Sequence, residues 1–141
     1  MAKGTAFTAS LEEHTACGES RQMDYGKSND DPKTWDGKCY TVPKDGVYHL
    51  YISYLRDSQV PQGGGEPGTN GDTHVIIRVC GKQKAYAWAG EGGASHQAAS
   101  TSVILPLREG DEVTTYDFAE ENKFRRFRHC VFTCFRVGKL S

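Results

Sequence analysis

The residue types best suited to binding chemistry crowd the last third of the chain. Arg125, Arg126 and Arg128 follow Lys123 within six positions. Guanidinium forks grip carboxylates and sulfates in two-point geometry, which an ammonium cannot match. The 14 residues before them (109–122) hold Glu109, Asp111, Glu112, Asp117, Glu120 and Glu121 and no Lys or Arg, whereas 123–141 hold six basic residues and no acid. Charge therefore swings from −6 to +6 between adjacent blocks. Two readings follow. Lys123 and the three arginines form a site for an anionic glycan or acidic partner, or they form a solvated loop paired with the acidic neighbour. A second pair, Tyr86 and Trp88, lies two apart in KAYAWA and so shares one strand face. Such a pair stacks on a sugar ring, or else fills a core or a subunit interface.

Cys17, Cys39, Cys80, Cys130 and Cys134 make five cysteines, an odd count that leaves at least one thiol free or paired between chains. Cys130 and Cys134 are four apart on one expected strand, about 13 Å, and a disulfide needs Cα atoms within about 7 Å. The expected pairs are Cys17 with Cys39, and Cys80 with Cys130 or Cys134. The alternative is that all five are reduced and pack as small apolar residues. His14, His49, His74, His96 and His129 are scattered, with no nucleophile–base–orienter context, so no enzymatic activity is expected. No Cys/His pair spacing fits structural zinc, and no phosphate-binding glycine loop occurs. No cofactor is expected.

These side chains need a scaffold, and its punctuation is glycine and proline. In 47–55, Tyr48, Leu50, Ile52 and Tyr54 alternate onto one face, the signature of a half-buried strand. Pro43-Lys44-Asp45-Gly46 before it reads as a turn. Further strands are expected at 75–80, 84–89, 100–107, 112–118 and about 129–137, with turns at Gly81 and at Arg108 to Asp111. Residues 59–73, with five Gly and two Pro, read as a loop, either recognition loop or tolerated insertion. Phe124, Phe127, Val131 and Phe135 are spaced as on a helix, but the run from Cys130 to Phe135 is rich in strand formers, and a strand is preferred there. Lys123 to Arg128 then becomes the loop entering the last strand.

The chain as given has 141 residues, which suits one domain over 1–141. Seventeen basic against 18 acidic side chains leave a net charge of −1, which argues against a nucleic-acid binder. No apolar run approaches the roughly 18 residues of a spanning helix, so membrane insertion is not expected, and no signal peptide is visible. Cysteine usage points to an oxidising compartment.

Taken in order, four pieces resemble the globular C1q domain family, within the C1q/tumour-necrosis-factor jelly rolls. They are Ala6-Phe7-Thr8-Ala9, then Tyr40 through Tyr48 (YTVPKDGVY), then Ser100 through Val113 (STSVILPLREGDEV), and Phe132-Thr133-Cys134-Phe135. The resemblance implies an all-β, ten-stranded jelly-roll sandwich that forms a homotrimer. It implies an extracellular, non-enzymatic recognition protein, lectin-like toward carbohydrate or anionic surface ligands, sialic acid among them, or an extracellular protein. Other roles within that frame are a structural module cross-linking matrix or adhesive, and a cytokine-like receptor ligand. Cys134 stands where members carry Gly, and Arg136 where they are apolar. Some members bind calcium through an acidic residue before the equivalent of Gln97. This chain has His96 there, so calcium is not supported at that point.

Overall fold

The computed structural model describes residues 4–17, 21–27, 29, 31–57, 73–89, 96–119 and 124–140. Side chains of 12–17, 21, 56–57, 73–74, 88–89, 96–98, 118–119 and 124–128 lie outside that description. Nine strands appear among the described residues, and no helix: β1 (Ala6–Cys17), β2 (Arg21–Gln22), β3 (Cys39–Thr41), β4 (Gly46–Asp57), β5 (Thr73–Val79), β6 (Lys82–Ala89), β7 (His96–Leu107), β8 (Glu112–Ala119) and β9 (Phe124–Gly138). They form two antiparallel sheets. Sheet one runs β1-β9-β4-β7, and sheet two runs β2-β8-β5-β6 with β3 also paired to β8. The jelly-roll expectation holds, with nine described strands instead of ten.

Period-two patterning sets which side of each strand is buried. Tyr48, Leu50, Ile52 and Tyr54 of β4 face inward beside Cys130, Phe132 and Cys134 of β9 and Phe7 and Ala9 of β1. Val75, Ile77 and Val79 of β5, Ala87 of β6 and Val113 of β8 close the core from sheet two. The irregular stretch between β2 and β3 completes it. Met23 and Trp35 are buried there, and backbone bonds from Met23 N to Thr115 O and Tyr25 N to Gly37 O, both 2.8 Å, hold the stretch in place. Phe7 stacks on Trp35 at 4.6 Å and meets Phe132 edge-on at 5.6 Å, geometries that add roughly 0.5–1.5 kcal/mol per pair beyond area burial.

Two sequence pieces that carried the resemblance meet in space. Val42 N donates to Asp111 O, and Gly110 N donates to Val42 O, so the turn before β4 interlocks with the turn before β8. Asp45 accepts from Glu109 N at 2.7 Å and from the Arg108 guanidinium at 3.3 Å. The Glu109 amide first, then Arg108, holds the Asp45 carboxyl below its ordinary range. Gly110 occupies the left-handed region that this tight turn requires (φ 91°).

The last strand begins earlier than its sequence suggests. Residues 124–128 are part of β9, paired with both β1 and β4, and not a loop. A register shift against β4 between Ser53 and Leu55 gives β9 one extra residue near His129, whose φ is 51°. A bulge of this kind breaks strict alternation.

Candidate binding surfaces

The sandwich leaves an outer face on each sheet, and both carry large side chains. On sheet two, Tyr86 of β6 is 51% exposed. Its Cα partner is Ile76 of β5, and the partner of Ile76 on the other side is Tyr116 of β8. Tyr86, Ile76 and Tyr116 thus form one cross-strand row, with the backbones of the two tyrosines about 9.5 Å apart by strand spacing. The Arg78 guanidinium lies over the Tyr116 ring at 4.1 Å, a cation–π contact that keeps the charge at the surface. Gln22 of β2 continues the row beyond Tyr116. Tyr86 therefore does not fill the core of its own chain. Trp88 is paired through its backbone with His74, and its side chain lies outside the described residues.

Sheet one has an outer row of Ile104, His49 and Phe135, one residue from each of β7, β4 and β9. Ile104 is 61% and Val137 50% exposed. The His49 ring packs on Phe135 at 4.9 Å, and its Nδ1 atom is sealed from solvent without a hydrogen-bond partner. Next along the sheet, Tyr51, Ser53, Leu55, Ala99 and Ser100 line a cleft of about 330 Å³. The face is apolar at one end and rich in hydroxyls at the other.

The basic residues are arranged differently from the expected loop. Arg125, Arg126 and Arg128 occupy β9 opposite Ala16, Thr15 and Glu13 of β1, and on the β4 side Arg126 and Arg128 are opposite Asp57 and Leu55. The described acidic residues of that block, Glu109, Asp111, Glu112 and Asp117, fall on β8 and the turn before it, in the other sheet. Register therefore sets the arginine positions beside Glu13 and Asp57 instead of beside residues 109–119. What the arginine side chains contact lies outside the described residues, as does Lys123 altogether.

None of the expected disulfides is present. Cys39, Cys80, Cys130 and Cys134 are free thiols, and Cys17 lies outside the described side chains. Burial separates Cys80 from its two candidate partners. Cys130 and Cys134 point into the core from sheet one, while Cys80 is exposed at the turn joining β5 and β6 in sheet two, its thiol donating to Asp111 at 3.6 Å. Cys39 sits on β3 in sheet two, and Cys17 ends β1 in sheet one. Burial pushes the Cys130 thiol up to about 12, and nearby Asp117 adds to the rise. Burial raises Cys134 and Tyr40 as well. The His96 backbone pairs with Asp57. Among the described residues no His, Cys, Asp and Glu group is arranged to hold a metal ion.

The sequence pointed to Tyr86 but not to Ile76, Arg78, Tyr116 or His49. Alternation along β4 and β8 already sends His49 and Tyr116 outward. The missing information was register, which no single strand contains.

Neither a family model nor a curated protein matches the sequence. Solved structures do match. The globular domain of a zebrafish complement 1qA protein superposes with a TM-score of 0.67 at 15% identity, covering 96% of this chain and 99% of that one. The Eiger TNF from S. frugiperda superposes with a TM-score of 0.59 at 9% identity, covering 97% and 96%. The fold is the C1q/TNF-like jelly roll.

Proposed function

We propose that this chain is an extracellular, non-enzymatic recognition module of the C1q type that works as a homotrimer and binds carbohydrate or anionic surface ligands in a lectin-like manner. The observation that carries the reading is the C1q-like fold, end to end along the chain. Two surface features support it. The outer face of sheet one, with exposed Ile104 and Val137 and the sealed Nδ1 of His49, has the character of a subunit contact. The Tyr86–Ile76–Tyr116 row presents the exposed Tyr86 ring near the Arg78 cation, groups of the kind that stack on sugar rings and hold their acidic substituents. Three copies on one particle multiply a weak single-site affinity by effective concentration.

A glycan array probed with reduced protein tests this. Binding to a defined set of neutral or acidic glycans, weakened by Tyr86→Ala, is the expected result. An array with no bound glycan contradicts the lectin-like role. The exposed Cys80 thiol favours a second reading, a structural module linked between particles by disulfides. That reading requires disulfide-linked multimers on non-reducing gels that vanish in Cys80→Ser. A cytokine-like role instead requires capture of a cell-surface protein without glycan dependence.

A further inference from the structure

The two sheets end on the same side, sheet one in β7 and sheet two in β6, and these edge strands lie against each other. Alternation turns Val103, Leu105 and Leu107 of β7 and Ala85 and Ala87 of β6 toward the core. Leu107 and Ala87 are buried, but Val103, Leu105 and Ala85 are only partly covered. The small side chains that β6 offers leave the seam between the edges incompletely sealed. A cleft of about 270 Å³ opens there over Val79, Leu105, Pro106 and Leu107.

The remaining lining residues are Cys80, Lys82, Lys84 and Asp111. Asp111 is already engaged. Its Oδ2 atom accepts from Arg108 N at 2.9 Å, and its Oδ1 atom accepts from the Cys80 thiol at 3.6 Å. Lys82 and Lys84 are exposed, and among the described residues neither ammonium has an acidic partner. Two cations against one carboxylate leave the lining with a charge of +1. The connections at this end of the sandwich are residues 42–45, 80–81 and 108–111, and all of them are described, side chains included.

An apolar floor with two cations at its rim suits a ligand with an alkyl body and an anionic head. A sugar ring meets four aliphatic side chains and no hydroxyl in this lining. An alkylammonium meets two like charges. A methylene takes about the room of a water molecule, about 30 Å³, so about nine non-hydrogen groups fill the cleft. An unbranched acid of about seven carbons has that size. We propose that the cleft between the β6 and β7 edges binds a free medium-chain alkanoate, its chain over Leu105 and Leu107 and its carboxylate between Lys82 and Lys84. The proposal is independent of the lectin-like reading above.

The test titrates sodium butanoate, hexanoate, octanoate and decanoate, separately, into reduced, isotope-labelled protein and follows amide shifts. Hexanoate is expected to move Val79–Lys84 together with Leu105, Leu107 and Asp111. Affinity is expected to rise roughly fourfold per added methylene as each is buried, and to level off beyond octanoate, where the chain outgrows the cleft. Hexylammonium is expected to bind at least tenfold more weakly than hexanoate. The double variant Lys82→Glu, Lys84→Glu, changed only at exposed positions, is expected to lose hexanoate affinity at least tenfold. Leu105→Gln is expected to weaken hexanoate at least threefold. Should Leu105→Gln misfold, Pro106→Asp, at an exposed position of the floor, replaces it. Shifts confined to another surface, a chain series without gain, hexylammonium as tight as hexanoate, or unchanged affinity in the double variant each overturn the proposal. So does capture by phosphatidylglycerol vesicles, lost in the double variant, where no free alkanoate binds.

Discussion

Thiol chemistry offers a graded probe of which way β9 faces. Cys130 and Cys134 are fully buried, Cys39 is half-buried and Cys80 is exposed. Burial raises Cys130 from 9.0 to about 12, so its thiolate population at any neutral pH is roughly a thousandfold below that of an ordinary thiol. Steric closure adds a second barrier. With a stability of even about 5 kcal/mol, only roughly one molecule in five thousand is open at a given moment. Cys39 is raised more gently, by burial first and then by Glu112 and Asp36. In a Cys17→Ser background, a chromogenic disulfide reagent at pH 7.5 is therefore expected to consume one thiol quickly and a second more slowly. The remaining two should react at least a thousandfold more slowly than the first. Adding denaturant should release those two at once. Mass mapping should assign the fast thiol to Cys80. Reaction of Cys130 or Cys134 within tenfold of Cys80 in native protein refutes the inward placement of alternate β9 residues, and with it the core.

Other outcomes follow from the same packing. Phe132→Ala removes a fully buried ring that meets Phe7 and Trp35, and urea unfolding should show a loss of about 3–5 kcal/mol. Tyr86→Ala, at a half-exposed position, should cost no more than about 1 kcal/mol in the same assay. At alkaline pH the unfolded chain loses thiol protons near 9.0 while folded Cys130 keeps its proton to about 12, so the unfolded state binds fewer protons and stability falls across that window, by about 1.4 kcal/mol per pH unit. Cys130→Ala should flatten the slope of the urea midpoint between pH 9 and 11. On the acid side, Asp45 and Asp36 are held below their ordinary values, mainly by backbone amides. Their stabilisation is present above the unfolded carboxyl range near 3.8 and is lost as pH falls through the lower folded values. Asp45→Asn should reduce that acid sensitivity.

The elements most legible in the sequence were those with strict alternation and a turn with a physical reason. Tyr48, Leu50, Ile52 and Tyr54 face inward on β4 as their period requires, and the Pro43–Gly46 turn stands where expected. The start of β9 was hidden because an arginine-rich run mimics a solvated loop and the bulge near His129 breaks the period. Met23 and Trp35 gave no signal at all. They reach the core from an irregular segment held by backbone bonds to β8 and to Gly37, and such placement follows no periodicity. The binding surfaces were half legible for the same reason. Tyr86 was visible from its own strand, whereas Tyr116 and Arg78 join it only through pairing across β5.

The most direct test of a trimeric recognition module is the mass of the particle in solution. Light scattering on reduced wild-type protein at micromolar concentration should give three times 15.6 kDa, about 47 kDa. Ile104→Asp, at a position 61% exposed in the single chain, should leave the fold intact and reduce the mass to that of one chain. A wild-type mass of 15.6 kDa, or a trimer indifferent to Ile104→Asp, contradicts assembly through the outer face of sheet one.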